Sequence, residues 1–193
     1  IQMKNIKNIR MKKVKHIGTN SFKGCTGITE LSILDEIISM GISTFEGCTG
    51  ITQLSIGSGI TEISENAFKG CSGITQLIIP NQVTTIGKQS FSGCSKLKYV
   101  YYLGTSQPSA NDNIFEGLSG LTLKVKNGYS FTIGSLQSTA LDKVESNQVN
   151  YFIDSETGLM VFYGNGEMGG EKPWGSISSS ITNVIFEKGI TTV

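Results

Sequence analysis

Residues 60–94 read ITEISENAFKGCSGITQLIIPNQVTTIGKQSFSGC, a line in which FKGC at Phe68 to Cys71 returns as FSGC at Phe91 to Cys94. Working outward, the same phrase stands at Phe45 to Cys48 as FEGC and at Phe22 to Cys25 as FKGC, 23 residues apart each time. A worn copy, Phe115-Glu116-Gly117-Leu118, follows Phe91 after 24. A fixed period of this size marks a solenoid, in which each coil contacts only its neighbours and the working part is an extended surface. The pattern therefore points to holding something.

Two further phrases recur around each FxGC. Downstream come Ile28, Leu31 and Ile33, then Ile51, Leu54 and Ile56, then Ile74, Leu77 and Ile79, then Leu97, Val100 and Tyr102. A spacing of three and then two suits a bend feeding a short strand whose alternate side chains enter the core. Upstream come Val14 and Ile17, Ile37 and Met40, Ile60 and Ile63, Val83 and Ile86. About six apolar positions cannot offset the entropy of ordering one isolated coil, so stacking has to complete the core and let strand backbones pair between coils. The glycine of FxGC permits a left-handed turn into the strand. The phenylalanines are expected to form a continuous aromatic spine.

All four cysteines hold the same place in the repeat and are expected in one column. A coil spacing of about 4.8 Å is within disulfide reach, but stacked side chains point the same way, so free, buried, structural thiols are expected. A straight column also cannot wrap a tetrahedral zinc ion.

The quoted line and its neighbours resemble the leucine-rich repeats of the BspA-like surface proteins, a family carried by bacteria and protozoa of mucosal habitats. The resemblance covers residues 6–125 through the conjunction of period, FxGC, IxxLxI and VxxI. It implies an extended solenoid displayed outside the cell, with roles in adhesion to host protein or to other microbes, and no catalytic residues to transfer. The fold expected is an α/β leucine-rich-repeat solenoid, mainly β, with one short strand per 23-residue coil and short helical turns.

Three segments are expected. Residues 1–125 form the solenoid of about five coils, the first incomplete; 126–150, rich in Ser, Asn, Gly and Lys, form a cap and junction. Residues 151–193 open with YFID, a turn at SETG and LMVFYGNG, a hairpin signal. With Pro173 and Trp174 after it, this stretch resembles the hairpin module that precedes repeat arrays in the same family. The closing SITNVIFEKGITTV, 180–193, aligns without a gap on GITQLSIGSGITEI, 50–63, and starts a second array. Ile181, Val184, Phe186, Ile190 and Val193 then take the places of Ile51, Leu54, Ile56, Ile60 and Ile63. The chain is expected to be a window on a longer protein.

Little in the sequence suggests catalysis. Gly164, Gly166 and Gly169 satisfy GxGxxG, but Pro173 and Trp174 follow where a nucleotide site needs a helix N-terminus. His16 is the single histidine, at a repeat position held elsewhere by Glu62 and Thr85, and reads as a surface residue. The acid pairs Asp35 with Glu36 and Asp154 with Glu156 lie in turns, with nothing nearby to set one pKa against the other. No catalytic, cofactor or metal residues are assigned. The formal net charge of +1 gives no general attraction to nucleic acid, and no stretch approaches a membrane span. Lys4, Lys7, Arg10, Lys12, Lys13, Lys15 and Lys23 form a local basic run that reads as a solvated face of the first coil, with a polyanion or glycan contact as the alternative.

What remains is a surface. Outward strand positions form two columns: Glu30, Gln53, Gln76 and Tyr99, and beside it Ser32, Ser55, Ile78 and Tyr101. Exposed tyrosine adds apolar area and a hydroxyl at low entropy cost, so Glu30, Gln53, Gln76, Ile78, Tyr99 and Tyr101 are the ligand-binding candidates. The alternative is that the segment 126–150 folds over the tyrosines. The expected function is non-catalytic adhesion at an extracellular, cell-surface location, to host or microbial surface protein or glycan, with self-association as a further use of the face. The competing reading is a structural spacer that projects another domain from the cell.

Overall fold

The computed structural model describes residues 6–7, 9, 11–111, 113–126, 129–140, 142–144, 150–154, 156–163, 166–167, 181–186 and 190–192. The chain divides into two compact units, one made of the repeats up to Val125 with Ser130–Thr139, the other of Lys126–Tyr129 with the chain from Ala140 onward.

In the first unit each coil contributes two parallel strands. The long ones are Glu30–Ile33, Gln53–Ile56, Gln76–Ile79, Tyr99–Tyr102 and Thr122–Val125; the short ones before them are His16–Ile17, Ser39–Met40, Glu62–Ile63, Thr85–Ile86 and Ser109–Ala110. We number the coils 1 to 5 by these pairs. Register follows the sequence period, with Glu30 beside Gln53, Gln76 beside Tyr99 and Tyr99 beside Thr122. Alternate residues of each long strand point inward, so that Leu31, Ile33, Leu77, Ile79, Val100, Tyr102, Leu123 and Val125 all enter one core.

The expected single strand per coil is thus two, and the expected helical turns are replaced by a ladder of turns; the described residues contain no helix. The physical reason lies in where the amides point. Phe22 N–H donates to Thr44 O (2.9 Å) and Gly24 N–H to Glu46 O (2.7 Å); the same pair of bonds leads from Phe45 and Gly47 to Ala67 and Lys69, and from Phe68 and Gly70 to Ser90 and Ser92. Amides spent on the next coil cannot close the bonds of a helix. Two left-handed residues per turn, Asn20 and Gly24 (φ 57 and 72), Ser43 and Gly47 (55 and 72), Asn66 and Gly70 (55 and 71), rule out helical continuation as well.

The aromatic spine is present. Ring centroids from Phe22 to Phe45, Phe68 and Phe91 lie 5.3, 5.6 and 5.4 Å apart with planes within 7°, and Phe115 closes the row at 6.0 Å. At the far end Thr132–Ile133 and Leu136–Ala140 form an antiparallel hairpin whose second strand joins the edge of Thr122–Val125. Phe131 and Ile133 complete the core, with the Phe131 ring edge-on to Tyr102 at 5.6 Å. This hairpin occupies a strand edge that would otherwise be a template for pairing.

In the second unit Asn150–Asp154 and Leu159–Tyr163 form the expected antiparallel hairpin, and Asp142–Val144 pairs with its first strand. Asn183–Phe186 runs parallel to Leu159–Tyr163, and Ile190–Thr192 parallel to Gly166–Glu167. Asn183–Phe186 falls where the alignment with residues 50–63 puts the counterpart of Gln53–Ile56, while Ile190–Thr192 begins two residues ahead of the place aligned with Glu62–Ile63. Tyr151, Ile153, Met160 and Phe162 share a small core with Ile181 packed against it. Val184, the counterpart of a core leucine, is 48% exposed. Asp154 is buried: its carboxylate accepts from Glu156 N–H (3.1 Å) and Thr157 Oγ1 (2.9 Å) and so holds the hairpin turn. Lys4, Arg10, Gly164, Gly169, Pro173, Trp174 and Val193, and residues 127–128, 141 and 145–149 of the expected cap, lie outside the described residues.

Candidate functional site: the strand face and its supports

The outward positions of the long strands change character along the solenoid. Glu30, Ser32, Gln53 and Ser55 are exposed, and Ser55 Oγ donates to Ser32 Oγ at 3.1 Å. Gln76, Ile78 and Tyr99 are half-buried. Tyr101 is 0% exposed, and its neighbours Leu103 and Lys124 are buried too. The Lys124 ammonium stands 5.5 Å from the centre of the Tyr99 ring, a cation–π contact. The expectation of an exposed tyrosine pair is therefore corrected: covered aromatic surface contributes nothing to an encounter until it is uncovered. The hairpin of Thr132–Ile133 and Leu136–Ala140 extends the sheet at its edge. The open part of the face is that of coils 1 and 2.

Beside it stand apolar residues that the repeat phrases did not single out. Leu34, Ile38 and Ile42 are 37%, 51% and 48% exposed. The signal was in the columns: Ile38 stands where other coils carry Lys15, Thr61 and Thr84, and Ile42 where they carry Thr19, Glu65 and Lys88. His16 is exposed as expected, its Nδ1 2.8 Å from Ser39 Oγ in the next coil.

Along the turns Lys23, Glu46 and Lys69 alternate in sign at one repeat position. Lys23 Nζ lies 2.9 Å from Glu46 Oε2. Burial alone would raise the Glu46 carboxyl, but hydrogen bonds from Ser43 and Lys23 and the charges of Lys23 and Lys69 outweigh it and leave the pKa lowered. In an in-register stack identical charges would fall on one another, so alternation favours this register.

The four thiols are free and buried, as the column argument required. Three of them also make a bond that sequence could not show. Cys48 Sγ donates to Phe22 O (3.0 Å), Cys71 to Phe45 O (3.1 Å) and Cys94 to Phe68 O (3.2 Å), so each of these three thiols satisfies a carbonyl of the previous coil. Burial pushes Cys48 and Cys94 up to about 12 and Cys71 well above the usual 9.0. A thiol raised in the folded state is fully stabilising below its unfolded pKa and loses that contribution as pH climbs toward the folded value. Stability should therefore fall between pH 9 and about 12, by about 1.4 kcal/mol per pH unit per thiol, read from urea midpoints at stepped pH. A flat profile across that window would contradict the burial of the column. In the same way a colorimetric thiol reagent at pH 8 should leave the folded protein unlabelled and titrate all four groups in denaturant.

Among the described residues no group of three or more His, Cys, Asp or Glu is placed to hold a metal ion. Gly166 sits in a two-residue strand paired with Ile190–Thr192. Asp35 accepts from Ser58 N–H at 2.7 Å and serves a turn. Among the described residues no helix is long and apolar enough to cross a membrane.

Comparison with known proteins agrees with the geometry. No protein of curated function matches the sequence. Among solved structures the pneumococcal vaccine antigen PcpA superposes with a TM-score of 0.54 at 20% identity over 65% of this chain and 30% of its own. A leucine-rich-repeat protein of T. pallidum gives 0.46 at 26% identity over 58% of this chain and 51% of its own. A leucine-rich cell surface protein of Faecalibacterium prausnitzii gives 0.43 at 20% identity over 92% and 60%. This chain spans between about a third and three-fifths of the length of these proteins. The family model described as the BspA type leucine-rich repeat region matches residues 2–122 in six copies. With the ladder, the spine and that match together, the chain belongs to the BspA-type leucine-rich-repeat family.

Proposed function

We propose that this chain is a non-catalytic binding module of an extracellular, cell-surface protein, and that it captures a host or microbial surface protein or a glycan on the strand face of coils 1 and 2. The observation that carries the reading is the open patch of Glu30, Ser32, Gln53 and Ser55, bordered by the exposed Leu34. Every other long-strand face is partly or wholly covered at its outward positions, through Gln76, Ile78, Tyr99, Tyr101 and Lys124. Polar side chains that bond one another across coils form a pre-ordered surface, and an adjacent leucine supplies the apolar contact that polar pairs lack. Surface display rests on membership of the family and on what that resemblance implies.

The test is an array of purified matrix proteins, microbial surface proteins and glycans probed with the chain, then with Glu30→Arg and Gln53→Arg. Both variants should keep the melting temperature of the parent and weaken capture about tenfold or more, since each sets a long cation into the patch. Capture that is unaffected by both would place the binding surface elsewhere. A chain that captures nothing, and whose melting temperature no array component raises, is a spacer.

A further inference from the structure

The repeats are not equally joined. Among the described residues both strand ladders are interrupted at the same junction, between coils 2 and 3: the long strands divide as Glu30–Ile33 with Gln53–Ile56 and then Gln76–Ile79 onward, the short ones as His16–Ile17 with Ser39–Met40 and then Glu62–Ile63 onward. The flanking backbone agrees. Ile38 N–H donates to Lys15 O (2.8 Å) between coils 1 and 2, and Thr84 N–H to Thr61 O (2.9 Å) between coils 3 and 4. Thr52 donates to Thr29 O (2.9 Å) and Lys98 to Thr75 O (3.0 Å) at the same junctions. The corresponding amides between coils 2 and 3, Thr61 and Thr75, make no such bond.

The cause can be read from three residues of coil 3. Gly41 and Gly87 bring their N–H groups to Ile17 O and Ile63 O at 2.7 Å, and each lies so close to the preceding coil that an added Cβ would overlap its backbone, at 2.5 Å from Glu65 N in the case of Gly87. Their counterpart in coil 3 is Ser64, whose Cβ forbids that approach and whose hydroxyl donates to Met40 O in place of the amide. At the other ladder Gly57 is pressed onto coil 1, where an added Cβ would come within 2.5 Å of Ile33 O; its counterpart is Pro80, which has no N–H to give, whereas Leu103 at the same place in coil 4 donates to Ile79 O at 3.0 Å. Gln82 likewise replaces Gly59. Leu54, the core residue facing this junction, is only partly buried, whereas Leu31 and Leu77 are 2% and 0% exposed.

The turn side does not open. Ser43, Phe45 and Gly47 donate across the same junction to Glu65, Ala67 and Lys69 at 3.0, 2.9 and 2.7 Å, Cys71 Sγ bonds Phe45 O, and the rings of Phe45 and Phe68 stack. We propose that coils 1–2 and coils 3–5 are two rigid blocks joined by a hinge, with the turn ladder and phenylalanine spine as its pin and both strand ladders as its free side. Opening it changes the spacing between the Gln53–Ser55 and Gln76–Ile78 positions of the strand face, so the curvature of that face is adjustable at one place and stiff at the others.

Amide hydrogen exchange on the whole chain tests this with internal controls. Thr61, Ser64, Thr75 and Gln76 should exchange about tenfold or more faster than their equivalents Ile38, Gly41, Thr52 and Gln53 and than Thr84, Gly87, Lys98 and Tyr99, while Phe45 and Gly47 stay protected. In Ser64→Gly combined with Pro80→Gly the difference should shrink as both ladders close. Equal protection at all three junctions would overturn the hinge, and so would rapid exchange at Phe45 and Gly47, which would mean that the pin opens too. If the double variant fails to fold, the comparison within the unaltered chain still decides.

Discussion

Phe68→Ala is expected to cost the first unit about 4 kcal/mol, the usual size for emptying a buried phenylalanine site. Phe68 is 0% exposed and lies between two parallel rings, Phe45 at 5.6 Å and Phe91 at 5.4 Å, so truncation removes two stacking contacts and leaves a cavity. Main-chain bonds between coils hold the turn on both sides, which limits how far the walls can collapse to refill the space. Phe22, partly buried at the near end of the row and stacked on one ring, supplies the comparison: its replacement by alanine should cost about 1–2 kcal/mol. Urea midpoints for the two variants measure the difference. Equal losses at both positions would show that the column does not carry the core.

The second large effect is expected at Gly50→Ala, about 2–3 kcal/mol through overpacking. Gly50 has an ordinary backbone conformation, so flexibility is not the reason for it. A Cβ there would run into Thr26 O and come within 2.8 Å of Ile28 O, both main-chain atoms of the preceding coil that are fixed by the repeat. Gly120 separates this steric effect from a conformational one. It has φ 69 and open space around its Cβ position, so alanine there should cost only the left-handed penalty of about 1–2 kcal/mol. Thermal unfolding of the two variants tests the ranking; a neutral Gly50→Ala would mean that the coils can separate at little cost.

How much of this was legible in the sequence depends on the range of each interaction. The glycine of FxGC was readable, because its left-handed turn is a local demand; so were the hairpin at 150–163, with its turn residues between two alternating runs, and the row of free thiols. The second left-handed position, held by Asn20, Ser43, Asn66 and Gln89, was not, since only asparagine among these signals it. The helical turns expected from the family were wrong because sequence does not say whether an amide bonds along its own segment or across to the next coil. The strand face was legible as two columns, but the burial of Tyr101 and Lys124 was not, since cover over an outward side chain comes from elsewhere in the fold.

By itself the sequence determined the coil: a 23-residue period places the same side chains in the same columns whatever else happens, and stacking is the only way such a short apolar set can be buried. Tertiary structure alone decided how tightly each coil meets the next and which part of the shared face stays open. Those depend on single atoms at contacts between coils, where a serine or proline replaces a glycine and a carbonyl does or does not find an amide. Periodicity averages such differences away.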